Sequence, residues 1–156
     1  MIIVADASPL IALYDGECLS VLQLAFTHII IPQKVYDEVF KNRFNRVKPS
    51  WIKVQSLTGA IVLSRKERLL NEFFLDEGES EAVALAEILG TRVLLDDRNA
   101  RTICKELNVD QVTAYEICAE LFQKGTINKK KWTEVQAALR LHNGFSPGYG
   151  DGIPLA

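Results

Sequence analysis

The chain has 156 residues, 48% hydrophobic and 24% charged, enough for one domain whose core needs no disulfide or metal to hold it. Its net charge of −2, from 18 Lys and Arg against 20 Asp and Glu, excludes a general field that would draw it to nucleic acid, so any such contact must be local. Three cysteines, Cys18, Cys104 and Cys118, lie far apart with no paired Cys or His spacing, which points to reduced thiols rather than a disulfide framework or a zinc knuckle.

The first element is a short apolar run, Ile2 to Ala5, stopped by Asp6, which predicts a strand covered on both faces. Met1 to Ala5 lacks a basic leader, and no later stretch approaches the roughly 18 apolar residues that span a bilayer. An unanchored cytoplasmic protein is expected. Ser8-Pro9 predicts a helix start, with serine as the N-cap and proline at the first helical position. A helix over about Leu19 to Ala25 precedes a second strand, His28 to Ile31, and Pro32 then opens a helix ending near Lys41. Trp51 to Val54 is a candidate for a minor edge strand.

Further along, the spacing predicts helices at about Lys66 to Phe74 and Glu79 to Leu89, then a strand at Arg92 to Leu95. Asp97 is placed to cap a helix over Arg98 to Leu107, and a strand at Gln111 to Thr113 follows. Helices at Tyr115 to Gln123 and Lys129 to Leu141 complete the periodic part. Short apolar runs alternating with helical segments predict an α/β fold, a three-layer α/β/α arrangement on a mainly parallel sheet of four to five strands. The expected division is one domain over residues 1–142 and a Gly/Pro-rich tail over residues 143–156.

In open parallel sheets, groups just beyond the carboxyl ends of the strands converge on one crevice. Asp6 ends the first strand, and Asp96-Asp97 end the strand beginning at Arg92. Glu38 lies in the helix after the second strand, and Glu79 begins the helix after Asp76-Glu77-Gly78. On a helical wheel Glu79 falls between Val83 and Ala86, toward the buried stripe, where a carboxylate needs a partner. Glu81 lies at the edge of that stripe and Glu87 points outward. Asp37 and Glu38 flank the Val35, Tyr36, Val39, Phe40 stripe about equally, so periodicity does not choose between them.

Four stretches together resemble the PIN-domain family, and within it the VapC-like proteins of bacteria and archaea. They are Val4-Ala-Asp-Ala-Ser-Pro-Leu, Val35-Tyr-Asp-Glu-Val, Leu75-Asp-Glu-Gly-Glu-Ser-Glu-Ala-Val-Ala-Leu-Ala and Val93-Leu-Leu-Asp-Asp-Arg-Asn-Ala-Arg. Each alone is weak, but all four in this order, covering most of residues 2–124, are fairly specific. The resemblance implies that Asp6 is a first-strand metal ligand supported by the hydroxyl of Ser8. It implies that Glu38, at the Val-x-x-Glu position, Glu79 and Asp97 complete the acidic set, with Asp96 as substitute or assistant. One stretch departs from the pattern: Thr113-Ala114-Tyr115-Glu116 is bulkier than the small residues and glycines usual after the last strand.

Carboxylates brought close together repel and raise one another's pKa unless protons or cations neutralise them. An all-oxygen set favours Mg²⁺ or Mn²⁺ over zinc, and neither His28 nor His142 belongs to the motifs. The expected chemistry is hydrolysis of a phosphodiester by metal-activated water. Arg98 and Arg101, just past Asp97, are candidates to steer the phosphate backbone. Other local basic runs, from Lys41 to Lys53 and from Lys129 to Lys131, read most simply as solvated surface.

Single-stranded or loop RNA is the substrate that the resemblance implies, together with a toxin–antitoxin role, a small antitoxin protein as partner and a possible homodimer. One competing reading is a non-catalytic PIN-fold binding or regulatory module, which would lack Mn²⁺-dependent stabilisation. Another is a different enzyme with a strand-end aspartate. A phosphatase of that kind wants Asp two residues after the first, where this chain has Ser8, and the residue order of a phosphoacceptor receiver is not evident.

Overall fold

In the computed structural model, which describes residues 1–41 and 43–143, the apolar runs pair as one sheet. The strands are β1 (Ile2–Ala5), β2 (His28–Ile31), β3 (Ile52–Val54), β4 (Val93–Leu94) and β5 (Gln111–Val112). Their order is β3-β2-β1-β4-β5, and every pair is parallel. The register sets Ile3 beside Ile29, Val4 beside Val93 and Leu94 beside Val112. The chain moves outward from β1 to β3 and then crosses back to β4, so its direction of winding reverses between β1 and β4. Such a reversal opens a crevice at the strands' carboxyl ends, and Asp6 and Asp96 leave the sheet there.

Parallel strands need crossovers, and helices on both faces supply them. They are α1 (Ala7–Asp15), α2 (Gln33–Tyr36), α3 (Ala60–Asn71), α4 (Glu77–Leu89), α5 (Arg98–Glu106), α6 (Ala114–Gln123) and α7 (Lys129–Asn143). Side chains alternate along a strand, so the central strands β1, β2 and β4 send residues into two separate cores. Ile3, Ala5, Ile29, Ile31 and Leu94 meet α1, α6 and α7 on one face. Val4, Val93 and Leu95 meet α3, α4 and α5 on the other. In the first core the fully buried Trp132 lies edge-on to Tyr115, at 5.2 Å between centroids, and stacks on Phe122 at 5.8 Å. Among the described residues no helix is long and apolar enough to cross a membrane.

Several boundaries differ from the sequence reading. Asp6, not Ser8, is the N-cap of α1. Pro9 therefore sits two positions inside the first turn, where it removes no intrahelical bond because the first backbone N–H groups have no partner in any case. Helix α3 starts at Ala60, six residues before the predicted Lys66, and ends at Asn71 rather than Phe74. Its buried face holds only Val62 and Leu69, while Ile61 and Leu63 are exposed, so the apolar pattern that predicts a helix is scrambled. Leu19–Leu24 is a 3-10 segment, and α2 passes into one π-helical turn, Asp37–Lys41. The candidate edge strand is real, as β3 at the rim of the sheet. The expected tail lies, from Gly144 onward, outside the described residues.

Candidate metal centre

Asp6 is fixed first by the sheet. Its backbone N–H donates to the carbonyl of Leu94 at 2.9 Å, which ties the end of β1 to β4 where the winding reverses. Only 5% of the residue is exposed. Burial pushes its carboxyl up to about 8, against partial relief from the Ala7 backbone N–H, and the carboxylates of Glu79, Asp76 and Glu38 add to the rise.

Glu38 arrives from the other side, on the π-helical turn that continues α2. The wider turn changes the direction of side chains after Tyr36, which a wheel of regular period does not anticipate. Asp37 is drawn aside and accepts from Gln33 Nε2 at 2.9 Å. Glu38 instead points at Gly78 in the first turn of α4, and a Cβ built on Gly78 would stand 2.8 Å from Glu38 Oε1 and 3.5 Å from Asp6 Oδ1. The missing side chain leaves a cradle shared by two carboxylates. The Glu38 carboxyl is raised by burial and by Asp76, and Lys34 pulls it the other way.

Helix α4 is itself anchored by a capping box. Asp76 Oδ1 accepts from the Glu79 backbone N–H at 2.8 Å, and Glu79 Oε1 accepts from the Asp76 N–H at 3.1 Å. The half-buried Glu79 carboxyl is pushed up to about 7 by burial, then by Asp76, Asp97 and Glu38, with its capping bond partly offsetting them. Asp76 acts on Asp6, Glu38 and Glu79 alike, so it is the member of the acidic group that the sequence reading missed. The Asp-x-x-Glu spacing before an apolar stripe was the signal that could have found it.

Asp97 caps α5, its Oδ2 accepting from the Ala100 N–H at 2.8 Å, and its charge reaches Glu79. Asp96 Oδ1 accepts from the Ala114 N–H at 3.1 Å, clamping the start of α6 to the end of β4. Ser8 is exposed on the first turn of α1. Arg98 is exposed at the first position of α5, whereas Arg101 turns toward β5 and α6, with Nε bonded to Gln111 at 3.0 Å and Nη2 3.6 Å from Glu116. In the bulky stretch after β5, Thr113 and Glu116 form a second capping box and Tyr115 is fully buried against Trp132.

The donor set is all oxygen and strongly acidic, and the Gly78 cradle leaves room between two of its carboxylates, so it suits a hard divalent cation. Glu79 and Asp97 each commit one oxygen to a helix cap. Among the described residues no three His, Cys, Asp or Glu side chains, as placed, enclose an ion. Ligation would therefore run partly through water or through turning of the Glu38 and Glu79 side chains.

No curated protein matches the sequence. The family model described as a PIN domain (DUF3368) matches residues 2–145, which takes in every element from β1 to α7 along with the whole acidic group, and the chain belongs to the PIN-domain family.

Proposed function

We propose that this protein is a metal-dependent endoribonuclease of the VapC-like kind, the toxin of a toxin–antitoxin pair, acting in the cytoplasm. PIN domains are generally nucleases, and the chain belongs to that family. The observation that carries the reading is the meeting of Asp6 and Glu38 over the bare backbone of Gly78, with Glu79, Asp76 and Asp97 within electrostatic reach. Asp6, Glu38, Glu79 and Asp97 would hold Mg²⁺ or Mn²⁺, directly or through water. The chemistry such a cation would supply is a lowered pKa for an attacking water and charge balance on the scissile phosphate and the leaving oxygen.

The chain's own residues set the conditions for that chemistry. Burial raises the Asp6 and Glu79 carboxyls above the ordinary carboxylate range, so binding of a cation there would be coupled to proton release. Lys34, 3.4 Å from Glu77 beside the acidic group, and Arg98 supply the local positive charge that the net charge does not. A small antitoxin and a second copy of the chain are the partners this reading implies.

The test is incubation of purified protein with mixed RNA, with Mn²⁺ and with chelator. Cleavage that needs the cation and disappears in Asp6→Asn supports the proposal; intact RNA, together with unchanged toxicity of Asp6→Asn on expression, rejects it. A second reading, a non-catalytic PIN-fold module, draws support from the two oxygens already spent on caps. It predicts no Mn²⁺-dependent rise in melting temperature.

A further inference from the structure

Arg46 belongs to a basic run that reads in the sequence as solvated surface, yet only 10% of its side chain is exposed. Its guanidinium is committed to two places at once. Nε and Nη2 donate to Asp15 Oδ1 at 3.2 and 2.9 Å, Nη2 also donates to Asp15 Oδ2 at 2.8 Å, and Nη1 donates to the Val39 carbonyl at 3.3 Å. The same group stands 5.9 Å from the centroid of the Tyr14 ring, and Tyr14 meets Phe40 edge-on at 6.1 Å. One nearly buried cation thus joins the end of α1 to the π-helical turn Asp37–Lys41.

Neither partner is explained by its own helix. Asp15 is the last residue of α1, where a negative charge opposes the helix dipole and no basic residue of that turn offsets it. In a regular α-helix the Val39 carbonyl would accept from the Arg43 N–H, but that N–H donates to the Phe40 carbonyl at 3.2 Å. Arg46 supplies the Val39 carbonyl with a donor from outside the helix, and a cation is the favourable group at a helix C-terminal end. Single π turns are rare, and such an external bond favours this one over ordinary α geometry. Glu38 immediately precedes Val39 on the turn, with Oε1 over the bare backbone of Gly78. Helix α1 runs from its Asp6 cap to Asp15, so one helix is tied to both carboxylates that meet at Gly78.

We propose that Arg46 is a positioning residue for the acidic crevice: by tying the Val39 carbonyl to Asp15 it holds the π-helical turn and keeps Glu38 aimed at the space over Gly78. The inference rests on the reading of that crevice as a cation site. Lysine is no equivalent, because it offers Asp15 a point charge but lacks the planar fork that serves carboxylate and carbonyl together. Arg46→Lys therefore separates aim from charge. Its Mn²⁺ dissociation constant, read from the electron paramagnetic resonance signal of free Mn²⁺, should rise about 10- to 100-fold, the usual cost of losing an outer partner of a metal ligand. Its melting temperature should fall by only about 2–4 °C.

Two further measurements keep a loss of stability apart from a loss of aim. Leu121 is buried beside Met1 and Arg92 at the amino ends of the strands, away from the crevice, so Leu121→Val should lose comparable melting temperature and bind Mn²⁺ as the parent does. In metal-free protein, Arg46→Lys should speed amide hydrogen exchange about tenfold or more within Asp37 to Lys41 and leave the rest of the fold unchanged. Unchanged Mn²⁺ affinity in Arg46→Lys, or an equal loss in Leu121→Val, overturns the positioning role while leaving the cation site intact. Failure of the parent to bind Mn²⁺ removes the cation site, and exchange still decides: acceleration confined to the turn upholds Arg46 as its anchor, and acceleration spread over the fold, or none, overturns it.

Discussion

Gly78 and Glu38 are matched by the absence of one side chain: a methyl on the glycine would meet the glutamate's Oε1 at 2.8 Å, closer than real Cβ atoms come. Gly78 has no left-handed φ, so its backbone does not require glycine. In the first turn of a helix glycine is a cost, about 0.5–1 kcal/mol against alanine. Space for a carboxylate is the remaining reason for it, and the atom that would have to yield is the free end of a flexible side chain rather than the backbone.

Gly78→Ala should therefore separate stability from function. The variant is expected to melt at the same temperature as the parent or slightly higher in metal-free buffer, because the helix gains and only Glu38 shifts. Its Mn²⁺-dependent rise in melting temperature should shrink, and cleavage should fall about 10- to 100-fold, as displacements of around an ångström in a site do. A variant that is more stable and equally active would show that the cradle is only a packing detail.

The acidic group also predicts how metal-free stability depends on pH. The Asp6 carboxyl, ordinarily near 3.8, is pushed up to about 8 in the folded chain, and Glu79 goes from an ordinary 4.5 to about 7. Between those values the folded state holds protons that the unfolded state has released, so stability falls as pH rises through the window and levels off above it. The loss attributable to Asp6 should be roughly 2–4 kcal/mol, read as a decline in melting temperature between pH 5 and pH 8 with chelator present. Asp6→Asn should be the more stable protein at pH 8 and show a shallower slope, and saturating Mn²⁺ should flatten the parent's curve. A melting temperature that climbs over the same range would contradict the buried, mutually repelling set.

How much of this was legible beforehand follows from which signals are local. The strand ends were readable because Ile2 to Ala5 is stopped by a single acid, and Asp97 was readable as a cap because a helical period starts directly after it. Glu38 could not be told from Asp37 by period, since the passage from α to π geometry at Asp37 invalidates a wheel drawn through both. Helix α3 was misplaced because Ile61 and Leu63 face outward, a choice made by tertiary packing that no window of sequence contains. Asp76 is legible from its spacing to Glu79 only as a helix cap, and its reach to Asp6 and Glu38 follows from tertiary placement that no local pattern contains.

That double role can be split by one atom. Asparagine caps helices about as well as aspartate, so Asp76→Asn should keep the bond to the Glu79 N–H and leave the melting temperature within about 0.5 kcal/mol equivalent of the parent. It removes a negative charge that acts on Asp6, Glu38 and Glu79. All three carboxyls should then ionise at lower pH, and the Mn²⁺-induced gain in melting temperature should diminish as the site loses charge. Asp76→Ala, which loses cap and charge together, should cost about 1 kcal/mol more. If Asp76→Asn binds Mn²⁺ as the parent does, Asp76 is a cap and nothing else.

Support for Glu38 comes from farther away, through Glu81. Its half-buried carboxylate accepts from the Lys34 backbone N–H at 3.1 Å with Oε1 and from Lys66 Nζ at 2.7 Å with Oε2, joining the start of α2 to α3 and α4. Side-chain exposure is 12% for Glu81 and 23% for Lys66, so water screens this pair only in part. Removing the acid strands an ammonium group and a helix-initial N–H in that partly dry place. Glu81→Ala is expected to cost about 1–3 kcal/mol, below the 3–5 typical of fully buried pairs because both partners keep some solvent. Since α2 carries directly into the turn that bears Glu38, the same substitution should weaken Mn²⁺ binding although Glu81 belongs to a different bonded group. Glu81→Gln, which can still accept from Lys34, should recover the Mn²⁺ response more fully than the stability. Equal loss of both in the two variants would mean that the charge of Glu81, and not its hold on α2, is what the site needs.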